Sequence, residues 1–135
     1  MAQASDYMEE AVLTGLLGGT AITLSSGKPY IGLLTSAPTD SSSGTECTGG
    51  AYARVQVGGT DQGDFSVSST GSATNSAEFR WDDANDNWGD ISHVALYDAP
   101  TGGNILLYGS LTSPVSIQQG DIFKIPASGF TIQMD

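Results

Sequence analysis

The residues best suited to chemistry lie in one acidic stretch, running from Asp82 and Asp83 through Asn85, Asp86, Asn87 and Trp88 to Asp90. Carboxylates at Asp82, Asp83, Asp86 and Asp90 are the ligand type that hard cations such as Ca²⁺ take. The nearest template is an EF-hand loop started at Asp83, with Asn85 and Asn87 at alternate positions. It then puts Trp88 where the turn glycine is required and Val94 where a bidentate Glu is required, so it fails twice. The stretch reads instead as a solvated acidic turn whose carboxylates cap strands through local hydrogen bonds. No metal is expected.

His93 is the only histidine. A general base works with a nucleophile or an orienting carboxylate. Ser92 and Asp98 both fall on the opposite face of a strand from His93, so neither is expected to pair with it. No Gly-x-Ser-x-Gly elbow occurs. The run Gly15-Leu16-Leu17-Gly18-Gly19 follows a helix instead of preceding one. Gly44 to Gly50 lacks a partner lysine and a following helix, so neither run cradles phosphate. Among the aromatics, Trp81 and Tyr97 sit in apolar strand patterns and read as core; Trp88 is the one plausible exposed anchor, although packing of its loop onto its own sheet is the favoured role. Cys47 is the sole cysteine, which excludes an internal disulfide and a thiolate-rich zinc site. It has no basic residue or histidine near it in sequence to activate it. No catalytic residue and no cofactor are expected.

These residues need elements to hold them. The N-terminal segment reads as a helix, with Asp6 and Glu9 as a capping-box-like pair and Ser5 as the alternative cap. Met8, Ala11, Val12, Gly15 and Leu16 follow helical spacing, and Leu13 with Leu17 widens the stripe. Gly18-Gly19 supplies the stop. Beyond it, turn residues separate short strand-like runs: Pro29–Thr35, Tyr52–Val57, Asp64–Ser68, Ser76–Trp81, Ile91–Asp98, Asn104–Ser110, Asp121–Ile125 and Phe130–Met134. Both faces of the Ile91 run are apolar, which predicts a central strand. Pro114 and Pro126 belong at strand ends or edges. Ser36–Gly50 and Asp82–Asp90 read as long loops. The expected architecture is an antiparallel β-sandwich, jelly-roll or immunoglobulin-like, over residues 20–135, with a helix or arm at residues 1–19.

The chain has 135 residues, a formal net charge of −11, 14% charged residues and 18 glycines. That fits one domain rich in turns. The basic residues are Lys28, Arg54, Arg80 and Lys124, spaced too widely to grip a phosphate backbone or an anionic membrane. No apolar run approaches the ~20 residues of a membrane span. The acidic N-terminus has no basic segment of the kind a signal peptide carries.

In the C-terminal half the run Trp88-Gly89-Asp90-Ile91-Ser92-His93-Val94-Ala95-Leu96-Tyr97-Asp98-Ala99, followed by Gly102-Gly103-Asn104-Ile105-Leu106-Leu107-Tyr108-Gly109, resembles a small all-β virion protein family of tailed bacteriophages. Leu111, the Gly120-Asp121 turn and Gly129-Phe130-Thr131-Ile132 continue the pattern. Upstream, Tyr30-Ile31-Gly32-Leu33-Leu34-Thr35 through Asp40, and Gly49-Gly50-Ala51-Tyr52-Ala53-Arg54, also fit. The resemblance covers about residues 28–135 and implies a structural virion component, not an enzyme. Small size and acidity favour a capsid decoration (cement) protein on the shell surface, made in the host cytoplasm, over a tail or fibre component. A carbohydrate-binding sandwich using Trp88 is the rival of a different class. The expected partners are the major capsid protein and copies of the chain itself, a trimer before a dimer, with no nucleic acid and no membrane. The expected contact residues are Met8, Val12, Leu13, Leu16, Leu17 and Trp88.

Overall fold

The computed structural model describes residues 3–21, 23–24 and 27–133. Strand β1 (Gln3–Ala4) leads directly into helix α1 (Asp6–Gly18). Ser5 is the cap: its Oγ accepts from the Met8 N–H at 3.2 Å. The same hydroxyl reaches the Leu106 carbonyl at 3.2 Å and the Ile105 carbonyl, and the Ser5 N–H donates to Leu106 at 3.0 Å. Asp6 and Glu9 lie in the first turn, where the helix dipole favours them. Gly19 ends the helix at φ 71°, a left-handed conformation that suits glycine.

The remaining strands are β2 (Tyr30–Ser36), β3 (Thr45–Glu46), β4 (Val55–Gln56), β5 (Phe65–Val67) and β6 (Ser72–Asn75). They continue with β7 (Phe79–Arg80), β8 (Gly89–Tyr97), β9 (Ile105–Ile117), β10 (Lys124–Ile125) and β11 (Thr131–Gln133). The main sheet has the order β1-β9-β8-β2-β3, with β4 also paired to β2, and two small sheets, β11-β6-β5 and β10-β7, lie apart from it. The described pairings are antiparallel. The fold is therefore an antiparallel, sandwich-like β structure with one N-terminal helix, as expected.

The core explains the layers. Ile31, Leu33, Ile91, Val94 and Leu96 of the main sheet share one buried cluster with Phe79, Trp81, Phe123, Ile125, Phe130 and Ile132 from the smaller sheets and their flanks. On the other face, Leu34, Ala95, Tyr97, Ile105 and Tyr108 form a second, smaller cluster. β8 is central, between β2 and β9, as its two apolar faces predict.

Several elements differ from the reading of the sequence. β3 lies inside the stretch expected to be loop, as a two-residue bridge to β2 set by tertiary pairing and not by its own pattern. β6 occupies Ser72–Asn75, where a turn followed by a later strand was expected, and the expected Ser76–Trp81 strand shrinks to β7. β9 runs past Ser110 to Ile117. It does so through a register break: His93 pairs with Ser110, whereas Ile91 pairs with Val115. Pro114 lies in the extra length of β9, where the ladder demands no N–H. Met134, the expected end of the last strand, lies outside the described residues.

Candidate functional site

Gly32, Tyr52, Arg54 and Tyr97, from the runs that carry the resemblance, meet Glu46 in one partly buried cluster. Arg54 Nε and Nη2 grip Glu46 Oε1 and Oε2, each at 2.8 Å, a bidentate pair. Its Nη1 donates to the carbonyls of Ala99 and Gly102 at 2.8 and 2.9 Å, tying down the β8–β9 hairpin. The guanidinium carbon sits 3.4 Å from the Tyr97 ring centroid, a cation–π contact. Tyr52 donates its hydroxyl hydrogen to Glu46 at 2.6 Å and accepts from the Leu33 N–H at 3.0 Å. Gly32 leaves the room: a Cβ there would lie 2.7 Å from Tyr97 Cε2 and 2.9 Å from Glu46 Oε1.

Electrostatics follow from this packing. Burial alone would raise the Glu46 carboxyl, but the hydrogen bonds from Arg54 and Tyr52 and the Arg54 charge outweigh it and hold the group below its ordinary value. Burial, reinforced by Glu46, pushes the Tyr52 hydroxyl up, and burial pushes the Cys47 thiol up to about 12. These groups are fixed in one protonation state near neutrality. The cluster is full and acts as a staple, not as a vacant reaction centre. The sequence hid it because Glu46 sits in a polar stretch. The signal available was Arg54 itself, a rare cation inside a strand-like run.

Trp88 packs inward, the role favoured for it in the sequence, and is not available as the exposed contact residue that was the alternative. It is buried, its Nε1–H donates to the Gly50 carbonyl at 2.9 Å, and its ring meets Tyr52 edge-on at 5.4 Å. Gly49 permits this approach, since a Cβ there would lie 2.7 Å from Trp88 Cδ1. The acidic neighbours stay outside: Asp82, Asp83, Asp86 and Asp90 are exposed. Asp86 accepts from the Asn87 N–H at 2.8 Å, and Arg80 lies 3.8 Å from Asp83. Among the described residues no three His, Cys, Asp or Glu side chains converge as metal ligands.

Ser92 and His93 do touch, at 2.8 Å between Oγ and Nδ1, although strict alternation would keep neighbours apart. The register break between Ile91 and His93 interrupts the pleat there. Asp98 is engaged elsewhere, accepting from the Asn104 backbone at 2.8 Å and its side-chain amide at 3.0 Å. No carboxylate among the described residues bonds His93, so the contact lacks the orienting partner of a catalytic triad.

Helix α1 divides the residues expected to make contacts. Met8 and Val12 are half-buried, and Met8 packs on the main core. Leu13, Leu16 and Leu17 are 58%, 76% and 83% exposed. Leu16 therefore leaves the stripe it was read into and joins Leu13 and Leu17 on an outward ridge. No helix residue is fully buried. Beside the helix opens an apolar groove of about 490 Å³. A helix apolar on both sides is normally covered on both.

The structure is an antiparallel β body with one N-terminal helix that keeps an apolar ridge exposed. Comparison with known proteins gives the chain its family. Over residues 3–133 the chain matches the family described as Podophage GP4 fiber I protein gp80, and it belongs to that family. It is a structural, virion-associated phage protein, in keeping with the resemblance seen in the sequence. No curated protein matches the chain.

Proposed function

We propose that the protein is a structural component of the tail-fibre apparatus of a podophage virion, held to its neighbours by the outward ridge of α1 while the acidic β body faces solvent. It acts by burying complementary surface, without chemistry. The observation that carries this reading is a contrast within the chain. The polar side chains of Glu46, Arg54 and Tyr52 in the body are matched to one another, whereas Leu13, Leu16 and Leu17 stay exposed.

The family's description supports a fibre position over the capsid decoration expected from size and acidity. A short domain suits a fibre assembled from several chains. Decoration remains the second reading, favoured by the compact body and the charge of −11, which suits a surface that repels other virions. Its partner would then be the major capsid protein. Copy number separates the two: quantitative gels of purified particles should give the few copies of a tail appendage. Copies matching the shell lattice would overturn the fibre reading in favour of decoration.

A further inference from the structure

The geometry points to α1 being a hinged arm: its first turn is clamped to the β body, and residues 12–18 open locally while the body stays folded. This rests on the docking role proposed above and adds that the element carrying the ridge moves relative to the body. The clamp is dense. β1 pairs with β9 at Tyr108 and Leu107. The Ser5 N–H donates to the Leu106 carbonyl and its hydroxyl to that of Ile105. The Asp6 N–H donates to the Asp40 carbonyl at 3.1 Å. Met8 is the one α1 side chain, among the described residues, that packs on the main core.

Beyond Met8 the hold lapses. Ala11, Val12 and Gly15 are half-buried, but Ala11 and Gly15 are too short to reach the sheet. A groove of about 490 Å³ opens between α1 and Leu96, Leu106 and Leu107 of the body, so this part of the helix gains little dispersion contact. Leu13, Leu16 and Leu17 face water and add nothing to the seating. Local forces do not make up the deficit. α1 has 13 residues, and an isolated helix under about 12–15 residues is marginal in water. Gly15 and Gly18 are poor helix formers. No basic residue lies in the last turn to offset the dipole. Residues 11–27 hold no charge, so no ion pair braces the later turns. β8 is the contrast: it is paired on both sides, by β2 and β9, and buries Ile91, Val94, Ala95 and Leu96. Segments with few buried apolar contacts open below the free energy of global unfolding, whereas core strands open with the whole fold.

The test is amide hydrogen exchange, read residue by residue by NMR on the isolated full chain at neutral pH, with urea raised stepwise below the unfolding transition. Amides of residues 13–18 are expected to exchange at least about 100-fold faster than those of residues 94–96, each relative to its intrinsic rate. Their rates should barely respond to urea, because a local opening exposes little new surface. The Glu9 amide, bonded to the Ser5 carbonyl at 3.0 Å, should stay better protected than the arm. At Gly18 an added Cβ meets Thr14 Cγ2 at 3.6 Å, an ordinary contact. Gly18→Ala should therefore slow exchange in the arm by roughly two- to fivefold and leave β8 unchanged. An arm protected to within about tenfold of β8, arm rates that climb with urea as steeply as those of β8, or a Gly18→Ala effect equal in both would overturn the proposal. Exchange in the free chain decides the arm and copy number per particle decides the fibre reading, so each can fail without the other.

Discussion

Arg54→Met tests the buried staple most sharply. The Arg54 side chain is 6% exposed and that of Glu46 27%. The substitution removes a bidentate ion pair, two bonds to the hairpin carbonyls and the cation on Tyr97. It leaves a largely buried carboxylate with Tyr52 as its remaining donor. Breaking a buried pair from one side costs ~3–5 kcal/mol. Because Glu46 keeps some access to water, the lower end applies, about 3 kcal/mol. For a domain of this size that lowers Tm by roughly 10–15 °C.

The deficit also has a pH signature. Glu46 is held below its ordinary value in the folded chain. The pair's contribution is therefore fully present above the unfolded carboxylate's titration near ~4.3 and is lost as pH falls through the lower folded value. Urea unfolding of wild type and Arg54→Met at neutral pH and in acid should show a wide gap that narrows in acid. Glu46→Met/Arg54→Met should recover part of the loss, since no unpaired charge is left buried. A neutral-pH deficit under about 1 kcal/mol, or one independent of pH, would refute the reasoning.

Other outcomes follow from the same contacts. Gly32→Ala drives a methyl against Tyr97 and Glu46 and should cost ~1–3 kcal/mol by overpacking, read from thermal melts. Ser5→Ala removes the helix cap and its bonds to β9; a loss of about 1–2 kcal/mol with reduced helical signal is expected in chemical denaturation followed by circular dichroism. Cys47 should resist alkylating reagents in the folded chain at mildly alkaline pH and react at once on unfolding, because burial keeps it as the thiol. Melting curves should be unchanged by EDTA or added Ca²⁺, since the exposed aspartates of residues 82–90 do not converge.

Local rules read the helix well. Its acidic first turn and glycine stop are near-neighbour effects, visible within a few residues of sequence, and its cap falls on the alternative Ser5 in place of the favoured Asp6. The central place of β8 was also legible, because apolar residues on both faces leave it no solvent side. β3 and β6 were not, since two to four polar residues become strand only when a partner presents its edge. Inward packing of Trp88 was the favoured reading, but its partner was not legible, because its sequence neighbours are acidic and exposed and Gly50 lies across the fold. Glu46 and Arg54 meet only after the chain folds, and spacing alone does not reveal a pair joined through loops. The division of α1 into a half-buried face and an outward ridge was beyond periodicity, which marks apolar positions but not which side the body covers.

The account turns on where the ridge lies in the particle. Electron cryomicroscopy of intact virions, with the chain fitted into density, measures this directly. The account predicts density at the tail-fibre apparatus with Leu13, Leu16 and Leu17 covered by a neighbouring chain and the aspartates of residues 82–90 facing solvent. Density on the shell lattice, or a ridge bare to solvent in every copy, would contradict it.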